Sequence, residues 1–235
     1  MHVLKEWFGG RVRIVLLLMI LFAVGVCGAS IGVDLWQEWR TPPEVRVTEA
    51  LQNAMAAPTY CYTGEAVRVH EGKEQVITRL KGEKNGEAVH LYGTVDVLDT
   101  ELDVYQISDN FYRKDIVSGQ WMQMTGQNLE ATEYLMQEIN PLGCLVTNDI
   151  VQVTELGKEK LNGAACKKYQ MQYSGENTFL TSVWKEFYYT VWLDKKHRLQ
   201  QVELIADDHE NSAEQLRLMI QFDWNAEVSE IKAPV

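Results

Sequence analysis

The sequence predicts a mainly β (α+β) domain, an antiparallel meander curled into a half-barrel and covered by two short helices, behind an N-terminal transmembrane helix. Three observations predict it. Residues 14–33 carry no charge. From Tyr60 onward apolar residues recur with period two in about eleven short segments, which is the signature of half-buried strands. Beyond the apolar run only two stretches, 48–57 and 128–140, show helical spacing.

The apolar run opens with IVLLLMILF and, at about 1.5 Å rise per residue, spans the hydrocarbon core of a bilayer. Arg11 and Arg13 precede it and Asp34 and Glu38 follow. The positive-inside bias therefore predicts that residues 1–13 are cytoplasmic, 14–33 an anchor, and the rest extracytoplasmic on a single-pass cell-membrane protein. Trp36 and Trp39 fall where amphipathic rings prefer the headgroup layer. Two rivals give the same compartment. A cleaved secretory signal would need a shorter apolar centre, whereas this run continues to Val33. A lipidated Cys27 would need a small residue just before it, and Val26 stands there. The uncleaved anchor therefore ranks first.

Charge follows the same division. Of 235 residues 22 are Lys or Arg and 33 Asp or Glu, a net charge of −11. Residues 1–13, with Lys5, Arg11 and Arg13 against Glu6, are +2; residues 41–235 are −12. A surface of that sign repels phosphate backbones, which excludes nucleic acid as the expected partner.

Residues 34–46 contain Pro42-Pro43 and read as an extended linker to a domain over 47–235. Thr48 caps a helix through Ala57, with Val47, Leu51, Ala54 and Met55 on one face and Pro58 as the stop. Strands are expected near 60–70, 75–82, 87–97, 101–107, 110–115 and 120–124. The second helix, Asn128 to Asn140, sets Leu129, Thr132, Leu135, Met136 and Ile139 in one stripe before Pro141. Strands near 149–156, 164–174, 184–194, 198–206 and 214–225 follow. In the last, Leu216, Leu218, Ile220, Phe222 and Trp224 alternate with Arg217, Met219, Gln221 and Asp223, so one face is buried and the other wet. Eleven strands with tight connections leave no room for parallel crossovers, so the sheet is antiparallel.

Chemistry-bearing patterns are sparse. There is no CxxC, HExxH or calcium-loop spacing, and His70, His90, His197 and His209 are scattered, although His70 and His90 could face each other across strands. Asp207-Asp208-His209-Glu210 and Lys195-Lys196-His197-Arg198 read as hairpin loops, the second with a minority reading as a contact for anionic headgroups. No GxSxG or SxxK occurs, and Asp99, Glu101 and Glu203 are indistinguishable from surface carboxylates. No enzyme and no cofactor or metal is expected. Cys61, Cys144 and Cys166 allow three pairings. Cys144 with Cys166 is favoured, closing a loop that would stabilise by roughly 3 kcal/mol, with equal weight on three reduced, buried thiols.

The exported strands are rich in aromatic residues, among them Trp121, Trp184, Trp192, Trp224, Phe111, Phe187 and Phe222, which either line a pocket or fill the core. Several segments resemble the LolA-like lipoprotein-carrier superfamily, which includes mycobacterial lipid-carrying lipoproteins and the periplasmic sensor domain of the sigma-E system. They are the helix ALQNAMAAP leading into Tyr60-Cys61-Tyr62, ELGKEKLNGAACKKYQMQY at 155–173, YYTVWLDKKHRLQQVELI at 188–205, and Ile231-Lys232-Ala233-Pro234. The resemblance implies an incomplete barrel that binds a lipid, an acyl chain or a lipoprotein's acyl groups under its helices. The anchor departs from a freely diffusing carrier and favours a stationary acceptor or sensor. The expectation is a membrane-anchored, non-catalytic binding protein for a lipid or lipidated protein, with Leu135, Met136, Trp192, Leu218, Ile220 and Phe222 in the cavity. The alternative is a regulatory or scaffold module whose fully packed β domain contacts a protein partner.

Overall fold

The computed structural model describes residues 41–96, 99–115, 118–125, 150–173, 184–211 and 213–234. The predicted anchor, the second helix and Cys144 lie outside them. Among the described residues no helix is long and apolar enough to cross a membrane.

Among the described residues one helix, α1 (Pro43–Ala56), is followed by eleven strands. The first six are β1 (Thr59–His70), β2 (Lys73–Asn85), β3 (Ala88–Val95), β4 (Thr100–Ile107), β5 (Asn110–Lys114) and β6 (Trp121–Thr125). The remainder are β7 (Ile150–Leu161), β8 (Ala164–Tyr173), β9 (Trp184–Leu193), β10 (Leu199–Asp208) and β11 (Glu214–Asp223). They form one antiparallel sheet in the order β6-β5-β4-β3-β2-β1-β11-β10-β9-β8-β7. The chain enters at the middle, meanders out to β6, resumes at the other end with β7, and meanders back until β11 pairs with β1. The sheet does not close, since β6 and β7 stand at opposite ends.

Two boundaries differ most from the sequence reading. α1 starts at Pro43, inside the stretch read as linker. A proline lacks only an N–H that the first turn of a helix leaves unused, and Glu44 beside it complements the helix dipole. β7 runs on to Leu161 because a bulge at Gly157, held at φ 124°, shifts the register instead of ending the strand. The loops behave as read. The Asp194 carboxylate accepts from the backbone N–H groups of Lys196 and Arg198 at 2.8 and 2.9 Å, tying off the β9–β10 hairpin. Asp208 does the same for Glu210 and Asn211 before β11, and these bonds hold its carboxyl below the usual range.

Val47, Ala50, Leu51 and Ala54 recur at helical spacing and are almost fully buried against one face of the sheet, over β7, β9 and β10. Leu91, Val104, Tyr169, Val191, Leu193 and Leu199 lie in the same core, each at most 1% exposed. The Lys84 ammonium donates to the Met55 carbonyl at 2.9 Å, capping the last turn of α1 from β2.

Candidate functional site

Period-two alternation divides the sheet into a helix face, shared with α1, and an outer face. On the helix face the strand register stacks three cross-strand rows. The first is Phe222, Tyr62, Gly82, Leu91 and Val104, running from β11 through β1, β2 and β3 to β4. The second, on the same five strands, is Ile220, Gly64, Leu80, Gly93 and Leu102. The third is Leu218, Ala66, Thr78, Val95 and Thr100.

The first row is filled. The Tyr62 ring occupies the place a side chain at Gly82 would take, since a Cβ there would fall 2.0 Å from it. Tyr60, Phe222 and Trp224 pack beside it with ring centroids 5.3 to 5.7 Å apart. The second row is open. No heavy atom among the described residues lies within 4 Å of the position a Cβ would take at Gly64. Its neighbours Ile220 and Leu80, with Leu218 and Val95 in the next row, are only half-buried. The result is an apolar slot with an aromatic wall, floored by two glycines and an alanine.

Of the predicted cavity residues, Leu218, Ile220 and Phe222 come together here. Leu135 and Met136 lie outside the described residues. Trp192 does not join them: its neighbours Val191 and Leu193 face the helix, so period two turns Trp192 to the outer face. There its indole N–H donates to Glu159 at 3.0 Å and the Lys168 ammonium stands 4.8 Å over the ring. Cys166 is a buried free thiol whose S–H donates weakly to Ala164. His90 pairs with Asp103 at 2.9 Å between the Tyr92 and Tyr105 rings, while His70 meets Glu214, so the two histidines do not face each other.

The outer face has clefts of its own, of about 450 and 330 Å³. Charged side chains edge them: Arg79 bridges Glu65 and Asp96 at 3.2 and 2.7 Å, and Lys81 and Glu83 stand alongside. Apolar groups also line these clefts, whereas the three rows of the helix face carry no charged side chain. Among the described residues no group of three His, Cys, Asp or Glu is placed to hold a metal ion.

Burial has a measurable consequence at the wall. It pushes the Tyr60 hydroxyl from its ordinary pKa of 10 up to about 12, and pushes Tyr62 in the same direction. The unfolded chain ionises these groups near pH 10 while the folded chain holds the protons. Their stabilisation is thus complete below pH 10 and is lost as pH rises towards 12. Thermal melts should fall across that window, and Tyr60→Phe should flatten the fall by about 1.4 kcal/mol per pH unit. An unchanged slope would show that Tyr60 is not buried.

Sequence reasoning missed one residue on this face. Arg46 of α1 is only 6% exposed, its Nη1 stands 3.7 Å from Glu155 of β7, and its buried Nε has no hydrogen-bond partner. An unsatisfied buried donor costs about 1–3 kcal/mol. Its signal was a charged residue one place before the apolar stripe of α1.

No family model and no curated protein matches the chain. Solved structures do. The Mycobacterium tuberculosis lipoprotein LppX aligns at 12% identity and a TM-score of 0.54, over 79% of this chain and 96% of that one. LprF from Mycobacterium bovis aligns at 9% identity and a TM-score of 0.49, over 80% and 94%. A LolA-superfamily protein from Nitrosomonas europaea gives 8% and 0.37, over 80% and 96%. LppX superposes well enough to show that this chain shares its fold, and at 12% identity the likeness is one of fold alone.

Proposed function

We propose that this chain is a non-catalytic, membrane-anchored extracytoplasmic protein that takes up the acyl chain of a lipid or lipidated protein in the helix-face slot. The observation that carries the reading is the opening at Gly64: an antiparallel sheet that needed only a packed core would place a side chain, not a glycine facing open space, between Ile220 and Leu80. Leu218, Ile220 and Phe222 line the site, and Leu135 and Met136 are proposed to join them. Trp192 is left out by its face. At ~25 cal/mol per Å², an acyl chain burying ~300 Å² gains roughly 7 kcal/mol before association entropy is deducted. The anchor at 14–33 makes the protein a fixed acceptor or sensor and not a shuttle.

Solvent extraction of the purified full chain followed by mass analysis should release a stoichiometric acyl lipid, and a dansyl-labelled fatty acid should bind saturably. A lipid-free protein that leaves the probe dark would overturn the proposal in favour of a packed module with a protein partner.

A further inference from the structure

A slot for hydrocarbon has no need of a buried cation, yet Arg46, in the first turn of α1, is only 6% exposed. Its counter-ion is poorly matched. Glu155 approaches only Nη1, at 3.7 Å, is itself one-third exposed, and is shared with the Lys167 ammonium at 4.0 Å. Neither separation is a hydrogen bond. The orphaned Nε–H lies on the other edge of the guanidinium, the edge it forms with Nη2. That edge is the fork that receives carboxylate or phosphate oxygens. Arg68 uses it in this molecule, directing both Nε and Nη2 to the Glu214 carboxylate.

Placement joins this charge to the slot. Glu155, Tyr169, Val191, Val202, Ile220 and Gly64 form one continuous cross-strand row. Tyr169, Val191 and Val202 between them are buried, but four interstrand steps of about 4.8 Å put only about 19 Å between Glu155 and Ile220 at the near edge of the slot, a distance that a long extended acyl chain running along the flank of α1 can reach. Arg46 also stands in the first turn of α1, where the helix dipole favours negative charge.

We infer that Arg46 receives the anionic headgroup, a carboxylate or phosphate, of the amphiphile whose chain lies in the slot. This rests on the reading of the slot as an acyl site. It makes the ligand class acidic single-chain lipids, with Nε and Nη2 donating to two headgroup oxygens while Glu155 keeps Nη1.

The test compares oleate with oleyl alcohol on the full chain, in wild type, Arg46→Met and Arg46→Lys. Wild type should bind oleate at least tenfold more tightly. Arg46→Met should lose that preference and keep its affinity for the alcohol, and Arg46→Lys should retain part of it. The ligand-free melting temperature of Arg46→Met should be unchanged or higher, because a similar-sized apolar residue replaces an unsatisfied buried charge. Equal binding of acid and alcohol by wild type would overturn the headgroup assignment and leave the acyl site standing, and that comparison decides even if Arg46→Met fails to fold. Arg46-dependent binding of inorganic phosphate at the affinity of oleate would overturn the lipid source in favour of a free anion. Binding of neither lipid would sink the acyl site, and the headgroup with it.

Discussion

Gly64→Leu should leave the protein folded and weaken binding of a fluorescent fatty acid at least tenfold, about 1.4 kcal/mol. Space for the new side chain exists on the helix face, and the φ of Gly64 lies outside the left-handed region, so the backbone imposes no penalty. Leucine also suits a strand better than glycine, so the melting temperature should hold or rise. The isobutyl group would lie between Ile220 and Leu80, in the volume assigned to the acyl chain. Affinity equal to wild type in a folded Gly64→Leu protein would mean that the chain, if bound, lies elsewhere.

The same class of change on the other side of Leu80 should do the opposite. In Gly93→Ala the new Cβ would sit 2.0 Å from the Arg79 carbonyl oxygen and 2.9 Å from the Leu80 Cα, both backbone atoms of the paired strand. No rotamer relieves a backbone clash, so β2 and β3 would have to part locally. The expected loss is roughly 3 kcal/mol or more. For a domain of this size that lowers the melting temperature by about 6–12 °C. Gly64→Ala is the internal control, with a melting temperature close to wild type. A Gly93→Ala protein as stable as that control would show that the two strands are not so closely opposed.

The pair of glycines also marks what could be read in advance. The alternation of β11 was legible because Leu216, Leu218, Ile220 and Phe222 follow one another without interruption, and the hairpins were legible from Asp194 and Asp208 in their turns. Gly64, Gly82 and Gly93 share the parity of the core residues around them, yet a glycine in a strand signals equally a bulge, a bend or a cavity. Only the register shows that Gly82 makes room for the Tyr62 ring and Gly64 faces open space. Trp192 went astray for a related reason. In β9 the run from Tyr188 to Leu193 is apolar or aromatic almost throughout, so composition does not say which parity faces the helix. A bulge between Leu199 and Gln201 on the neighbouring strand further hides the phase. Arg46 escapes a reading of the sequence because the capping signal at Thr48 starts the helix two residues too late to include it.

The pairing of β1 with β11 joins Cys61 to Asp223 across most of the chain. Contacts so distant in sequence close a long loop and form slowly. Each half of the sheet can meander into hairpins by itself, but the seam between them waits for the last strand. Gly64 belongs to the first half and Ile220 to the final strand, so the slot is split by that seam. A chain still emerging, or clipped before Glu214, lacks one wall of the slot. The slot is thereby completed only with the fold, and any ligand held in it would act as a clasp on the pair of strands that come together last.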